Sequence, residues 1–295
     1  MPWYIYSILS SLFFAGMILC ARYLGNKGFS SKQILLFLFA LAFLGFFVLN
    51  YKSLDNIASS EKFLLFLIIM LVAGVASVVG NLANFTAIIK SPNPEFVEAI
   101  KNSNILLISF LSISLFGSPL ASFKILGQIL IIIGVYLLIS GQNNTVKQNT
   151  VNQSSKWYVL AITGAVGFTI MVLGVKEAIR IGFLPIQINL FIFGFNLLAF
   201  TMLTAKEIKG YLISNNQLRA FLPIAFLMTV FSFLGNILNV KGISLAPNPG
   251  YHESIKNTQA LLVTLLSVPF FGVTIDNIKL LGVLITLTGS IILLI

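Results

Sequence analysis

The chain has 295 residues, of which 58% are hydrophobic and 9% are charged. Soluble domains are about 45–50% apolar and about 25% charged, so this composition excludes an ordinary soluble fold and predicts a surface that faces lipid. The net charge of +10 comes from bases spread over short loops, which argues against a nucleic-acid patch and favours charges that flank a membrane.

Apolar runs separated by polar, Gly or Pro breaks predict ten membrane-spanning helices, each near the roughly 20 residues that cross a hydrocarbon core. In chain order they are expected at 3–22, 32–50, 63–89, 94–116, 123–140, 157–179, 185–204, 219–244, 249–271 and 277–295. The segment from Gly141 to Lys156 is polar and has no apolar periodicity. We therefore expect a first five-helix unit at 1–141, a polar linker at 142–155 and a second five-helix unit at 156–295.

The two halves repeat each other in sequence. At an offset of 155, residues 91–117 align without gaps with residues 246–272, SPNPEFVEAIKNSNILLISFLSISLFG against APNPGYHESIKNTQALLVTLLSVPFFG. Five helices is an odd number, so the second half should lie upside down relative to the first. The expected fold is all-α and integral to the membrane, with ten transmembrane helices as two five-helix inverted repeats. Such repeats are typical of transporters that bind substrate between them and expose it alternately to each side.

A Glu–Lys pair recurs after the repeated Pro-Asn-Pro, where Asn248 and Pro249 predict a helix start. Glu98 and Lys101 are three residues apart and share a helical face, as are Glu253 and Lys256. A charge in the hydrocarbon costs roughly 3 kcal/mol unless it is paired or hydrated. Each pair is either a structural bridge or part of a cavity. In a cavity, lysines would hold a substrate carboxylate or phosphate, and glutamates an amine or a coupling proton.

Other polar residues repeat within the predicted spans. Two asparagines three residues apart occur on the third helix and again on the eighth, where they serve either interhelical hydrogen bonding or substrate contact. In the alignment of the two halves, Tyr251 and His252 stand at the positions of Phe96 and Val97, so the second half differs from the first there. The candidate substrate-binding residues are Lys101, Lys256, Glu98, Glu253, Asn102, Asn257, Asn81, Asn84, Asn236, Asn239, Tyr251 and His252.

Residues for catalysis and metal binding are scarce. The chain has one histidine, His252, and one cysteine, Cys20, which disfavours hydrolytic and metal chemistry. Nothing resembles a nucleotide-binding loop. We expect no enzyme activity, no metal and no cofactor. A non-transporting membrane receptor or scaffold remains the alternative function, with a membrane-embedded lipid enzyme or an ion channel behind it.

Over nearly its whole length the sequence resembles the EamA-type ten-helix members of the drug/metabolite transporter superfamily. The resemblance rests on the Pro-containing loop after helix three and on two matched modules, Leu115–Phe116–Gly117 with Gly127 and Gly134, and Phe270–Phe271–Gly272 with Gly282 and Gly289. Ser118 and Val273 depart from the family, where many relatives have an acidic residue. The stretch Ile100–Lys101 is also similar to the helix-four lysine of the triose-phosphate translocators, which contacts substrate phosphate.

The resemblance implies a transporter of small organic metabolites, often amino acids or their relatives, in the bacterial cytoplasmic membrane with both termini in the cytoplasm. Together with the charged pairs, it predicts a secondary transporter of a small polar metabolite, zwitterionic or anionic, that works by alternating access. Its expected partners are the substrate, the lipid bilayer and a coupling proton, and no nucleic acid.

Overall fold

The computed structural model describes residues 1–90, 97, 100–140, 157–205, 215–272 and 275–295. All regular structure within these ranges is helical. In the first half the helices are α1 (Trp3–Asn26), α2 (Ser31–Asn50), a 3₁₀ turn (Tyr51–Ser53), α3 (Leu54–Ala58), α4 (Phe63–Lys90), α5 (Asn104–Phe116) and α6 (Ser122–Ser140). In the second half they are α7 (Trp157–Arg180), α8 (Pro185–Thr204), α9 (Asn215–Leu245), α10 (Pro249–Lys256), α11 (Gln259–Phe271) and α12 (Asn277–Leu294).

Seven helical stretches among the described residues are long and apolar enough to cross a membrane, which gives the chain the architecture of a multi-pass membrane protein. They are Trp3–Asn26, Lys32–Ala58, Phe63–Asn84, Trp157–Arg180, Pro185–Thr204, Phe221–Leu245 and Asn277–Leu294. Large apolar side chains point outward from them, with Leu64 69% exposed and Phe226 61% exposed. In water such a surface would be costly, whereas in a bilayer it faces lipid.

The ninth predicted helix, 249–271, is not continuous, because it breaks at Asn257 and Thr258 into α10 and α11. The Thr258 hydroxyl donates to the Ile255 carbonyl at 2.7 Å, and the Thr258 amide donates to the same carbonyl at 3.1 Å. Ser103, at the matching position of the first half, does the same, with its hydroxyl 2.6 Å from the Ile100 carbonyl. Serine and threonine side chains compete in this way with regular helix hydrogen bonding, so hydropathy alone does not reveal the breaks.

The most extensive helix packing joins the two halves. α4 packs along α7, α1 along α9 and α6 along α12, and α2 packs with α8. In every pair one helix comes from each side of the linker. Phe66 of α4, for instance, stacks on Phe183 with ring centroids 3.8 Å apart. The two halves therefore share one interior and do not form separate bodies.

Glycines bring α6 and α12 into backbone contact. A Cβ at Gly134 would lie 2.6 Å from the Thr286 nitrogen, and a Cβ at Gly127 would lie 2.9 Å from the Gly289 oxygen. In the opposite direction, a Cβ at Gly282 would lie 2.8 Å from the Gly134 oxygen. Small residues allow this kind of close approach in membrane helices, so the glycines that resemble the family module act in packing.

Matching positions in the halves adopt the same local geometry. Gly117 ends α5 with φ 63° and Gly272 ends α11 with φ 66°, the left-handed conformation that glycine adopts without strain. Asparagine side chains donate to the carbonyl four residues earlier at both repeated positions, Asn81 to Ser77 at 2.9 Å and Asn236 to Ser232 at 2.8 Å. The repetition seen in the sequence thus extends to hydrogen bonds and backbone angles.

Candidate functional site

The candidate site is built on α10, a buried helix of eight residues that begins where the sequence predicts. The Asn248 side chain accepts the Gly250 amide at 2.8 Å and caps the helix, with Pro249 at its first position. The same side chain donates to the Ser109 carbonyl at 3.2 Å and to the Pro119 carbonyl at 3.3 Å. The cap therefore fixes the start of α10 to the first half of the chain.

Further hydrogen bonds hold α10 against α5 and α6. The Tyr251 hydroxyl donates to the Pro119 carbonyl and accepts the Ala121 amide, both at 3.1 Å. Gln128 of α6 donates to the Ser109 hydroxyl at 2.6 Å and to the Ser254 hydroxyl at 3.2 Å. Tyr251, a predicted substrate contact, thus has its hydroxyl engaged with backbone groups, and α10 lies where the two halves meet.

The structure brings Glu253 and Lys256 together, as their spacing predicts. The Lys256 ammonium bonds the Glu253 Oε2 atom within the same helical face, and the side chains are 14% and 2% exposed respectively. The other carboxylate oxygen, Oε1, is buried and has no hydrogen-bond partner among the described residues. Buried polar atoms are normally satisfied, so a carboxylate oxygen left over beside an ammonium is suited to a ligand that brings a donor.

His252 is completely buried, with each ring nitrogen against a polar atom from another helix. Nδ1 lies 2.7 Å from the Ser7 hydroxyl oxygen on α1, and Nε2 lies 2.9 Å from Asn239 Oδ1 on α9. Neither nitrogen is open to a substrate in this conformation. Sequence reasoning selected His252 and Asn239 but missed Ser7. The sequence feature that could have identified Ser7 is a group of serines, at positions 7, 10 and 11, on one face of an otherwise apolar helix.

The other predicted residues lie in less distinctive places. Asn102 and Asn257 are buried at 3% and 5% exposure, and Asn84 is 7% exposed. The amides of Asn81 and Asn236 bond within their own helices. Lys101 is partly buried. Glu98 lies outside the described residues, so the structure tests the Glu–Lys pairing in the second half alone.

Two residues that were not selected as site residues share an unusual state. Asn104 and Gln259 are the first residues of α5 and α11, immediately after the two helix breaks, at an offset of 155. The side-chain oxygens Asn104 Oδ1 and Gln259 Oε1 are buried and lack hydrogen-bond partners in the described part of the chain. An unsatisfied buried acceptor costs about 1–3 kcal/mol, which a bound donor would recover.

The arrangement as a whole suits binding more than bond-making chemistry. No group of three or more His, Cys, Asp or Glu residues is placed to hold a metal ion within the described ranges. What the site offers is one ammonium, one carboxylate and several buried acceptor oxygens. These groups recognise polar ligands through charge and hydrogen bonds.

Comparison with known proteins gives the fold and nothing more specific. No family model matches the chain, and no curated protein matches it. Among solved structures 29 chains match. One of them, a protein crystal structure, superposes with a TM-score of 0.73 over 99% of this chain and 96% of that chain, at 14% sequence identity. At that identity the likeness shows a common fold over nearly the full length of both chains.

Proposed function

We propose that the protein is a secondary transporter that moves a small polar metabolite, zwitterionic or anionic, across a membrane by alternating access. The observation that carries this proposal is the buried Glu253–Lys256 pair beside a helix break at the junction of the two halves. Ionisable groups at membrane depth mark substrate or ion pathways. Broken helices near the middle of the membrane, where two repeats meet, provide binding sites in many transporters.

The proposed fold is ten spans in two inverted repeats. The seven long spans are joined by the shorter apolar helices Ile100–Phe116 and Ser122–Leu138 and by α10 with α11 as a tenth. Exchange of the halves turns the α4–α7 contact into the α9–α1 contact, and both pairs pack extensively. The α6–α12 contact maps onto itself, because Gly127 meets Gly289 while Gly134 meets Gly282. A two-fold relation between the halves produces reciprocal contacts of this kind, and with five spans in each half it is an inversion.

The substrate chemistry follows from the charges at the site. Lys256 suits a carboxylate or phosphate, and the unpartnered Glu253 Oε1 suits an amine. A buried ion pair contributes little net stability, because desolvation offsets the attraction. An amino acid or a related zwitterion would satisfy both groups at once, with Lys101 and Glu98 in the equivalent roles in the first half.

The resemblance to EamA-type drug/metabolite transporters fits this proposal. The resemblance implies a location in a bacterial cytoplasmic membrane, with both termini in the cytoplasm. The energy would come from a proton gradient or from exchange of one substrate for another. Under this proposal the protein needs no cofactor and catalyses no covalent change.

A thermal-shift screen of detergent-purified protein tests the proposal against amino acids, amines, organic acids and sugar phosphates. A ligand at 100 times its Kd stabilises the native state by about 2.7 kcal/mol. We expect one class to stabilise the wild type but not Lys256→Gln. Lys241→Gln is the matched control, since Lys241 is an exposed lysine on α9. Failure of every class to stabilise the wild type, or equal stabilisation of Lys256→Gln, would overturn the assignment.

A further inference from the structure

The surroundings of His252 are built specifically for an imidazole. A Cβ at Gly242 would overlap the Cε1 and Nδ1 atoms of the ring and lie 3.3 Å from Nε2, so a side chain at that position would exclude it. Ser7 and Asn239 reach the ring from two other helices, and the three side chains are 0%, 0% and 6% exposed for Ser7, His252 and Asn239. A polar cluster this deeply buried requires an explanation.

The equivalent place in the repeat shows that packing does not require this cluster. The equivalent residues are Ala87 and Val97, at an offset of 155 from Gly242 and His252, and Ala161, at an offset of 154 from Ser7. Those three apolar residues are fully buried and pack together. Of these two equivalent places in the fold, one is thus filled by ordinary hydrophobic contact and the other by a histidine with polar partners.

The partners of the ring suit a protonated imidazole. Asn239 Oδ1 accepts the Nε2 hydrogen, and the Ser7 oxygen can accept a hydrogen from Nδ1. The Ser7 hydroxyl hydrogen then has a second acceptor, the Trp3 carbonyl at 3.1 Å. With a neutral ring the Ser7 hydroxyl instead donates to Nδ1. The same heavy-atom positions therefore serve both protonation states, and a proton that arrives at Nδ1 redirects the Ser7 hydrogen to Trp3.

We propose that His252 is the binding site of the proton that drives transport, with Ser7 and Asn239 as its hydrogen-bond acceptors. This inference rests on the proposed transporter function and adds the coupling ion and its site. This site binds one proton, because the equivalent position in the first half is Val97, which has no titratable group. The proton adds to Nδ1 and leaves from the same atom, and no covalent bond between heavy atoms changes.

The charges around the imidazole explain why the proton would act on conformation. Lys256 lies one helical turn after His252 on α10, and the Lys176 ammonium on α7 donates to the Ile243 carbonyl at 3.0 Å and to the Ala246 carbonyl at 3.3 Å. Glu253 is paired with Lys256, and Lys124 on α6 lies 5.4 Å from the centre of the Tyr251 ring. A charged ring is costly to keep away from water. An arrangement in which α1 and α9 have separated from α10 admits water to the ring and therefore holds the protonated form at lower cost. Because that open arrangement binds the proton more tightly, proton binding shifts the population towards it.

The first test counts protons directly, and the single histidine makes it simple. With ¹⁵N-histidine labelling, the wild type in nanodiscs should give one imidazole signal, neutral with hydrogen on Nε2 at high pH and protonated in one reversible step within the pH range over which the protein stays folded. Potentiometric titration should show one more proton bound over that range than in His252→Gln. Ser7→Ala should bind the proton about tenfold more weakly, as loss of one acceptor implies. An imidazole that stays neutral throughout, or an equal proton count in His252→Gln, overturns the proposal.

The second test asks whether the proton is coupled to transport. A ¹⁴C-labelled amino-acid mixture is added outside proteoliposomes. Exchange is measured with unlabelled amino acids inside at equal pH, and accumulation is measured into empty vesicles with a pH gradient. Ser7→Ala should keep exchange of amino acids at equal pH and lose most of the gradient-driven accumulation. Ser10→Ala is the matched control, because that buried hydroxyl bonds the Ser7 carbonyl and not the ring.

The two proposals fail in different ways. Gradient-driven accumulation by Ser7→Ala equal to that of the wild type overturns proton coupling at this site. Equal loss of exchange and accumulation also overturns it, since the cluster would then be structural. Absence of any amino-acid transport by the wild type counts against the proposed function. In that case the titration of His252 still decides the proton site.

Discussion

Gly242 makes room for the imidazole of His252, and filling that space is a quantitative test of the site. A Cβ at position 242 would overlap two ring atoms. Alanine in a helix interior is favoured over glycine by about 0.5–1 kcal/mol, whereas overpacking a core costs about 1–3 kcal/mol. We therefore expect Gly242→Ala alone to destabilise the protein by about 1 kcal/mol.

The sign should reverse when the ring is removed. His252→Val alone leaves the buried Asn239 oxygen without its donor and opens a cavity, at a cost of about 1–3 kcal/mol. In that background Gly242→Ala fills vacated space and keeps its helix advantage, so it should stabilise by about 0.5–1 kcal/mol. The double variant reproduces the Ala87–Val97 pair that packs in the first half. The expected coupling energy of about 2 kcal/mol is within the range for contacting residues.

Thermal unfolding of the four proteins in detergent measures this cycle. One kcal/mol corresponds to about 2 °C in Tm for a chain of this size, so Gly242→Ala should lower Tm in the wild type and raise it in His252→Val. An equal decrease in both backgrounds would refute the reasoning, because the cost would then not come from the ring.

Three further variants test other contacts. Gly134→Ala should destabilise the protein by about 3 kcal/mol, because the new Cβ would lie 2.6 Å from the backbone nitrogen of Thr286. Thermal unfolding measures this loss, and an unchanged Tm would contradict the close packing of α6 against α12. Lys124→Met should lower the free energy of unfolding by about 1.5–3 kcal/mol, since the ammonium donates at 2.8 Å to a carbonyl in the last turn of α12. Denaturation in urea measures this free energy, and an unchanged value would contradict the contact. Glu253→Gln should destabilise the protein by about 3 kcal/mol, because it leaves a buried ammonium unpaired. Adding Lys256→Met should recover most of the resulting decrease in Tm. Additive decreases in Tm would show that loss of the bridge is not the cause.

The sequence is sufficient to locate the seven long spans, because apolar runs of membrane length leave little choice. The predicted bounds of 185–204 are those observed for α8, and 277–295 differs by one residue from α12. The break at Asn257 and Thr258 was not predicted. It depends on a hydroxyl that bonds a carbonyl three residues earlier, and hydropathy does not register that competition. The break matters for the candidate site, since it places Gln259 at a helix start with a side-chain oxygen that has no partner among the described residues.

Local spacing predicted one part of the site and could not predict the other. Glu253 and Lys256 are three residues apart, so helix geometry alone brings them together. Ser7 and His252 are separated by 245 positions along the chain, and their contact depends on how α1 packs against α10. The same applies to Tyr251, whose partners are backbone groups of the loop between α5 and α6. Every residue type has backbone groups, so the sequence does not reveal which residues a side chain bonds through their backbone atoms.

Under the proposed transporter function, the differences between the halves bear on the direction of transport. A protein built from two equivalent inverted halves would have inward-open and outward-open states of nearly equal free energy, because each state exchanges the contacts of the other. The helix breaks at Ser103 and Thr258 and the Glu–Lys spacing are common to both halves, so they suit the step that both states share, namely holding the substrate. His252 with Gly242 occurs in one half alone. A proton that binds there acts on one state more than the other, and a difference of about 1.4 kcal/mol changes the ratio of the two populations tenfold. Under the proposed function, the asymmetric cluster is therefore able to give an otherwise balanced transporter a direction.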